Sequence, residues 1–196
     1  MVNFWDERFS RSEYVYGRSP NAFLKKCLDA LPAGSILFPG EGEGRNAVYA
    51  AQLGWEVTAF DSSVMAMEKA NRLAAERSVE IDYSISDYLN FNSNDRFDAV
   101  ALLFTHLPGH DRESIHRKYV TLLKPGGRLI LQAFRKEQLG LNSGGPKDLD
   151  MLFSVDELTS DFDGLSELVI KETNTSLSEG SFHLGMARLI NVLGVK

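Results

Sequence analysis

Short apolar runs alternate with helical patterns along most of the chain. The run SILF at 35–38 predicts a first buried strand, and the stretch 46–53 has the apolar spacing of a helix. Further strands are predicted at 55–60, 79–86 and 97–104, and a proline-glycine turn within 122–134 is predicted to lead into another strand. Further helices are predicted at 62–78 and from Asp111 onwards. Strands separated by helices in this way predict right-handed crossovers and a parallel sheet that is covered on both faces.

The two ends of the chain have patterns of their own. Near the N-terminus, Ser19-Pro20 predicts the cap and the first position of another helix. Towards the C-terminus, 145–158 predicts a loop and then a helix, and 165–194 predicts two long strands joined by a turn near Glu179. The predicted fold class is therefore α/β, with a doubly wound sheet that finishes in an antiparallel hairpin.

Composition and charge narrow the class of function. The 196 residues include 27 acidic and 21 basic side chains, for a net charge of −6, and no Lys/Arg run is present, so nucleic acid is a poor candidate partner. Cys27 is the only cysteine and is predicted to be a buried small hydrophobe; the four histidines lack zinc-ligand spacing, so no metal is expected. No apolar run approaches the ~18 residues that span a membrane. A single cytoplasmic domain over 1–196 is expected, with a monomer favoured.

A glycine-rich turn, PGEGEGRN, follows the first strand at 39–46. Gly40, Gly42 and Gly44 permit positive φ and let a ligand touch the main chain. Because the spacing also fits G-x-G-x-x-A, an NAD(P)-dependent oxidoreductase is an alternative. A pyrophosphate about 4 Å from Glu41 or Glu43 would, however, cost roughly 4 kcal/mol, which exceeds the ~0.3–1 kcal/mol available from a helix dipole. S-adenosylmethionine, with its sulfonium and ammonium groups, has the opposite preference; the simpler alternative is that both glutamates only complement the helix dipole.

Acidic residues also follow the next two predicted strands. Asp61, with Ser62 beside it, ends the second strand, where an acidic side chain can accept hydrogen bonds from a ribose diol. Asp87 follows the third strand and would accept from an adenine amino group while Tyr88 or Leu89 packs on the ring. The alternative for Asp87 is the cap of a local turn. Because the carboxyl ends of parallel strands lie at one edge of the sheet, these loops together predict a nucleoside site.

These motifs resemble the class I S-adenosylmethionine-dependent methyltransferases over nearly the whole chain. EGEGRN, Asp61, Asp87, FDAVALLF and LLKPGGRLIL stand where that superfamily has its recurring motifs. The leader WDERFSRSEYVYGRSPNAFL is similar to that of the tellurite-resistance and thiopurine-methyltransferase-like branch. The resemblance implies a Rossmann-like, seven-stranded mixed sheet with the last strand antiparallel, S-adenosylmethionine as cofactor and a small-molecule acceptor. Phe38 departs from the pattern, because an acidic residue often stands there.

The resemblance also implies roles around the glycine turn. The Arg45 guanidinium would pair with the methionine carboxylate and Asn46 would supply an amide, although an exposed first-turn arginine fits the sequence equally well. Glu41 is expected to lie along the methionine moiety, with Glu43 nearer the helix cap.

The expected reaction is an in-line methyl transfer in which orientation and desolvation supply most of the acceleration. A general base is optional; His106 and His183 are the candidates if the acceptor is a hydroxyl or an amine. Phe104, at the end of the fourth strand, is expected to face the methyl group. Residues 1–18, including Tyr16, are expected to form a lid, with ordinary packing as the alternative. A non-catalytic protein that binds S-adenosylmethionine is the remaining alternative.

Overall fold

The computed structural model describes residues 4–196. Its helices are α1 Phe4–Phe9, α2 Ala22–Leu28, α3 Arg45–Gln52, α4 Val64–Glu76, α5 Gly109–Thr121 and α6 Val155–Asp161. Its strands are β1 Ser35–Pro39, β2 Glu56–Asp61, β3 Asp82–Ile85, β4 Phe97–Leu103, β5 Leu123–Phe134, β6 Ser166–Ser178 and β7 Leu184–Val195. Two 3₁₀ turns lie at Lys136–Gln138 and Leu149–Met151.

The strands form one seven-stranded sheet in the order β3-β2-β1-β4-β5-β7-β6. The pairs β1/β2, β2/β3 and β4/β5 are parallel, whereas β7 is antiparallel to both β5 and β6. Only residues 179–183 join β6 to β7, which is too short for a crossover helix and forces a hairpin. The predicted α/β class, with a seven-stranded mixed sheet whose last strand is antiparallel, is confirmed.

The chain divides into two compact units, each with its own internal contacts. The first comprises the described part of Met1–Asn92 together with Glu179–Phe182, and so contains β1 to β3, α1 to α4 and the tip of the hairpin. The second comprises Ser93–Ser178 and His183–Lys196, with the remaining strands and helices. The single domain over 1–196 stays a prediction.

Local caps explain where several helices begin. Ser63 caps α4 by accepting from the Ala66 amide, and Ser154 forms a capping box with Glu157 at the start of α6. The predicted cap of α2 at Ser19 is wrong: Asn21 is the cap, because its side chain accepts from the Leu24 amide. The short α1 was missed, since six residues are too few for a periodic pattern.

Burial follows the predicted apolar runs. Residues 36–38 of β1 and 99–102 of β4 are almost completely buried, as expected for parallel strands that are covered on both faces. The longest helices, α4 and α5, have 13 residues each, and within residues 4–196 no helix is long and apolar enough to cross a membrane.

Candidate functional site

The glycine turn after β1 has the backbone that its sequence predicts. Gly40, Gly42 and Gly44 have φ values of 64°, 69° and 88°, in the left-handed region that favours glycine. Gly44 is the N-cap residue of α3, so the turn delivers the chain directly into a helix. At these positions the missing Cβ atoms leave room for close contact with Tyr88, Phe9 and Ala70 of the chain itself.

Glu41 lies at the N-terminus of α3. Its Oε1 accepts hydrogen bonds from the backbone amides of Asn46 and Ala47, both at 2.8 Å. Burial raises the pKa of Glu41 to about 7, although these two hydrogen bonds oppose the shift. The prediction that Glu43 lies nearer the helix cap is therefore wrong. The two left-handed glycines after Glu41 fold the chain back, so that its carboxylate reaches the first turn of α3.

Glu43 is paired with a lysine that the sequence analysis did not identify. Its side chain is buried and accepts from Lys69 Nζ at 2.7 Å and from the Tyr16 amide at 3.4 Å. Lys69 Nζ also donates to the backbone oxygen of Glu13 at 2.7 Å. Burial raises the pKa of Glu43, and the Lys69 ammonium opposes that shift. Glu43 thus joins the glycine turn to α4 and to the leader.

Arg45 and Asn46 also hold the leader. Arg45 Nη1 donates to the Tyr16 carbonyl and Nη2 to Glu179 Oε2, both at 2.9 Å, and the side chain is buried. Asn46 Oδ1 accepts from the Asn21 amide at 2.9 Å. Both terminal nitrogens of Arg45 are therefore engaged within the chain, which argues against the predicted pairing with a methionine carboxylate.

The leader lies over the glycine turn. Phe9 packs so close to Gly42 that a Cβ added there would meet Phe9 Cζ at 3.3 Å. The Tyr16 hydroxyl accepts from Arg8 at 3.0 Å, and its ring packs against Phe9 and Phe182. This arrangement is the one that the lid hypothesis requires, although ordinary packing would produce the same contacts.

Asp61 connects the end of β2 to the same turn. Its Oδ2 accepts from the Gly42 amide and its Oδ1 from the Ser63 amide, both at 3.0 Å. Burial raises the pKa of Asp61, and these backbone hydrogen bonds oppose that shift. Ser62 lies between Asp61 and Ser63 in the sequence, at the start of the turn into α4. The predicted acidic residue after β2 is therefore adjacent to the predicted glycine turn.

Asp87 follows β3 and is exposed. Its Oδ1 accepts from the amides of Leu89 and Asn90, which confirms the alternative prediction that it caps a local turn. Tyr88 packs edge-on against Phe60, with its hydroxyl at the face of Gly40 where a Cβ would project. Contact of Asp87 and Tyr88 with adenine stays a prediction.

An aromatic cluster lies at the carboxyl ends of β4 and β5, within the second unit. Phe104 has a φ of 57°, which is unusual for a bulky residue and costs of the order of 1–3 kcal/mol. Its ring centroid lies 4.4 Å from that of His183 and 4.9 Å from that of Phe134. Such strain is concentrated at functional sites, and here it sets the direction of a partly exposed aromatic ring.

His106 is engaged at both ring nitrogens. Nδ1 lies 2.7 Å from the Met151 carbonyl, and Nε2 accepts from the Phe134 amide at 3.3 Å. Burial lowers the pKa of His106 to about 4, so that its ring is neutral at physiological pH. These contacts argue against His106 as the predicted general base. His183 is buried, with its ring against Phe104 and Phe134.

Similarity to known proteins agrees with this geometry. The profile of the methyltransferase domain family matches residues 36–127. The 2-heptyl-1-hydroxyquinolin-4(1H)-one methyltransferase of Mycobacteroides abscessus is 28% identical over 141 residues, which cover 70% of this chain and 62% of that protein. Residues 36–127 therefore belong to the methyltransferase domain family. The predicted family, and S-adenosylmethionine as its cofactor, are confirmed.

One further relative and one solved structure of similar fold extend the comparison. The ubiquinone biosynthesis O-methyltransferase of Xanthomonas axonopodis pv. citri is 33% identical over 141 residues, covering 69% of this chain and 58% of that protein. The structure of TehB from Haemophilus influenzae has a TM-score of 0.75 at 17% identity, covering 98% of this chain and 66% of that chain, which shows the shared fold. The methyltransferase spans less than two thirds of the length of these curated relatives.

The residues of the methyltransferase fit its cofactor. Gly40 and Gly42 have positive φ values, and Tyr88 and Phe9 of the chain itself occupy the space that a Cβ would fill at these positions. The Asp61 carboxylate lies against Gly42, and its contact with a ribose diol stays a prediction. The Glu41 carboxyl, with a pKa of about 7, is mostly ionised above neutral pH and then supplies negative charge beside the turn, which suits a cationic ligand better than a pyrophosphate.

Replacing Glu41 by Gln is expected to make the stability of the methyltransferase less sensitive to pH. Because the folded pKa of Glu41 is raised to about 7 from 4.5, the carboxyl stabilises the fold below pH 4.5 and loses that contribution as the pH rises towards 7. The variant has no such carboxyl, so its stability relative to wild type should increase between pH 5 and pH 8 in urea unfolding. The exposed Glu68→Gln change is the control, and a pH dependence equal to that of wild type in Glu41→Gln would contradict this assignment.

Proposed function

We propose that the protein transfers a methyl group from S-adenosylmethionine to a hydroxyl oxygen of a small aromatic acceptor. The single observation that carries S-adenosylmethionine as the methyl donor is the hydrogen bond by which Asp61 accepts from the Gly42 amide of the glycine turn. The acceptor half is supported by the aromatic cluster of Phe104, Phe134 and His183. It is also supported by the names of the two relatives, one for a hydroxylated quinolinone and the other for O-methylation in ubiquinone biosynthesis.

S-adenosylmethionine supplies an activated methyl group, whose carbon–sulfur bond breaks as a carbon–oxygen bond forms, with the electron pair passing to sulfur. The chain's own residues orient the two reactants and exclude water. The acceptor proton passes to solvent, and little general-base assistance is needed because the leaving group is a neutral thioether. The His106 ring is neutral and hydrogen-bonded at both nitrogens, which fits this proposal.

One contact argues against the alternative function of an NAD(P)-dependent oxidoreductase. A pyrophosphate at the first turn of α3 would compete with the Glu41 carboxylate for the amides of Asn46 and Ala47. NAD(P) is therefore not expected to bind. A non-catalytic protein that binds the cofactor remains the alternative that an assay of turnover must exclude.

Binding of S-adenosylhomocysteine, measured by calorimetry, is the first test, and micromolar affinity is expected. Replacing Asp61 by Asn should weaken that affinity about 10- to 100-fold, because an amide has one oxygen and leaves either Gly42 or Ser63 without its acceptor. The exposed Asp163→Asn change should leave the affinity unchanged. Undetectable binding to wild type at millimolar ligand would refute the proposed function.

Turnover is tested with tritiated S-adenosylmethionine and two matched acceptors, catechol and cyclohexane-1,2-diol. Methylation of catechol alone would support an aromatic hydroxyl as the acceptor group. Equal methylation of both diols would contradict the aromatic class, and cofactor binding without transfer to either would favour the non-catalytic alternative.

The remaining features of the proposal concern the whole chain. We propose that residues 1–18, of which 1–3 lie outside the described residues, act as a lid over the cofactor, and the contacts of Arg45 and Glu43 with Tyr16 support this. A single domain, a monomeric state, a cytoplasmic location, and the lack of a nucleic-acid or membrane partner belong to the same proposal.

A further inference from the structure

Three separate segments of the second unit meet at the ring of His106. Its Nδ1 lies 2.7 Å from the Met151 carbonyl, and its Nε2 accepts from the Phe134 amide at 3.3 Å. The ring therefore joins the loop after β4 to the end of β5 and to the 3₁₀ turn at Leu149–Met151. Because the bridge uses one donor and one acceptor, it requires the neutral ring with its proton on Nδ1.

Aromatic packing holds the same ring on its faces. The ring centroid of His106 lies 5.6 Å from that of Phe134, with the planes 23° apart, and 5.3 Å from that of Phe153. The backbone of Phe153 is in turn paired with Arg135 and donates to the Phe134 carbonyl. The position of His106 is thus fixed by packing as well as by its two hydrogen bonds.

A second hydrogen bond joins the loop after β4 to the 148–152 segment. The Asp150 carboxylate accepts from the Gly109 amide at 2.7 Å, at the first residue of α5. Gly109 permits this approach, since a Cβ there would collide with the Asp150 carboxylate. The loop after β4 is therefore held to the 148–152 segment at its middle, by His106, and just beyond its C-terminal end, by Gly109.

The loop that is held in this way contains Phe104. The strained residue donates its amide to the Gln132 carbonyl at 2.7 Å, and its carbonyl accepts from the His106 amide at 3.1 Å. Its ring packs on a buried cluster that includes Phe134 and Leu152, which is next to Met151. Movement of the His106 ring would therefore disturb both the backbone and the packing of Phe104.

We propose that His106 is a positioning residue, whose bridge between Met151 and Phe134 holds Phe104 in the orientation that receives the acceptor. The statement that Phe104 receives the methyl acceptor rests on the proposed function. A general base at His106 would need an unengaged nitrogen facing the acceptor, whereas a positioning residue needs both nitrogens bound within the chain. His183 is the titratable neighbour that acts electrostatically on His106.

Three variants separate the two roles. His106→Phe keeps a ring between Phe134 and Phe153 but removes both hydrogen bonds, and His106→Asn keeps an amide donor near the position of Nδ1. His110→Asn, at an exposed histidine in the first turn of α5, is the matched control. Each variant is assayed with S-adenosylhomocysteine for binding and with catechol for turnover.

His106→Phe should raise KM for catechol about tenfold with a smaller change in kcat, because fewer molecules hold a competent pocket. His106→Asn should recover at least half of this loss on a logarithmic scale, and its pH profile should match that of wild type. Affinity for S-adenosylhomocysteine should stay within about twofold of wild type in both variants. A loss of kcat in His106→Asn with unchanged KM, together with the disappearance of an acidic limb, would overturn the proposal in favour of a base.

Hydrogen exchange provides a readout that does not depend on the acceptor. In the complex with S-adenosylhomocysteine, amide exchange across 148–154 should be about tenfold faster in His106→Phe than in wild type or His110→Asn. Unchanged exchange would overturn the proposal even if catechol is not a substrate. Faster exchange in a protein that methylates neither catechol nor cyclohexane-1,2-diol would uphold the bridge while favouring the non-catalytic alternative over the proposed function.

Discussion

Replacing Gly44 by Ala is expected to destabilise the protein by about 3–5 kcal/mol, or to prevent folding. A Cβ at this position would lie 2.6 Å from Ala70 Cβ and 2.7 Å from Ala70 Cα, well inside van der Waals contact. The residue also has a φ of 88°, which disfavours any L side chain. Since Gly44 caps α3, relief of the collision would move the glycine turn. Urea unfolding followed by circular dichroism measures the loss.

Gly54→Ala is the matched control for this change. Gly54 has a φ of 86°, but no atom lies within 4 Å of its added Cβ, so only the backbone cost of about 1–2 kcal/mol is expected. The difference between the two variants isolates the collision with α4. Ala70→Gly should rescue Gly44→Ala only in part, because the Cα of residue 70 remains in the way. Equal destabilisation by the two glycine replacements would show that α4 can move aside.

The features that the sequence predicted correctly have local or periodic causes. A positive φ at Gly40, Gly42 and Gly44 follows from the residue type and from the turn between a strand and a helix. The hairpin follows from two long apolar patterns separated by a short polar segment. The turn at Asp87 could also be predicted from the sequence, since aspartate side chains accept from the amides that follow them.

The partners of charged residues could not be predicted, because they depend on distant parts of the chain. Arg45 pairs with Glu179, which is 134 residues further along the sequence. Lys69 lies in a helix whose pattern only predicted that one face is buried, yet it is the partner of Glu43. No spacing rule connects such residues. His106 is a similar case, because its Nδ1 contacts the carbonyl of Met151, 45 residues further along the chain.

The tip of the β6–β7 hairpin and the leader meet at the glycine turn, and this contact also has no sequence signal. Gly180 approaches the leader so closely that a Cβ would lie 2.7 Å from the Gly17 amide nitrogen. Phe182 packs against Tyr16, and Arg8 lies 4.5 Å from the centre of the Phe182 ring. The leader is therefore held from both sides, by Arg45 and Glu43 of the glycine turn and by the hairpin tip.

Replacing Lys69 by Met is expected to destabilise the protein by about 3–5 kcal/mol at pH 8, because it leaves the Glu43 carboxylate buried without its cation. Without Lys69, the already raised pKa of Glu43 should rise further. A carboxyl whose folded pKa exceeds its unfolded value loses its stabilising contribution as the pH rises, so the deficit should be smaller at pH 5 than at pH 8. Urea unfolding at the two pH values measures both effects.

Two comparisons show whether burial is the cause. Lys124→Met breaks an ion pair of similar length, 2.8 Å to Asp98, in which both side chains are more than 40% exposed, and it should cost less than about 1 kcal/mol. Adding Glu43→Gln to Lys69→Met should recover much of the stability, since the buried charge is removed with its partner. If Lys69→Met is instead no worse than Lys124→Met, then water reaches Glu43, and the leader is less firmly closed over the glycine turn than its contacts with Tyr16 and Glu13 imply.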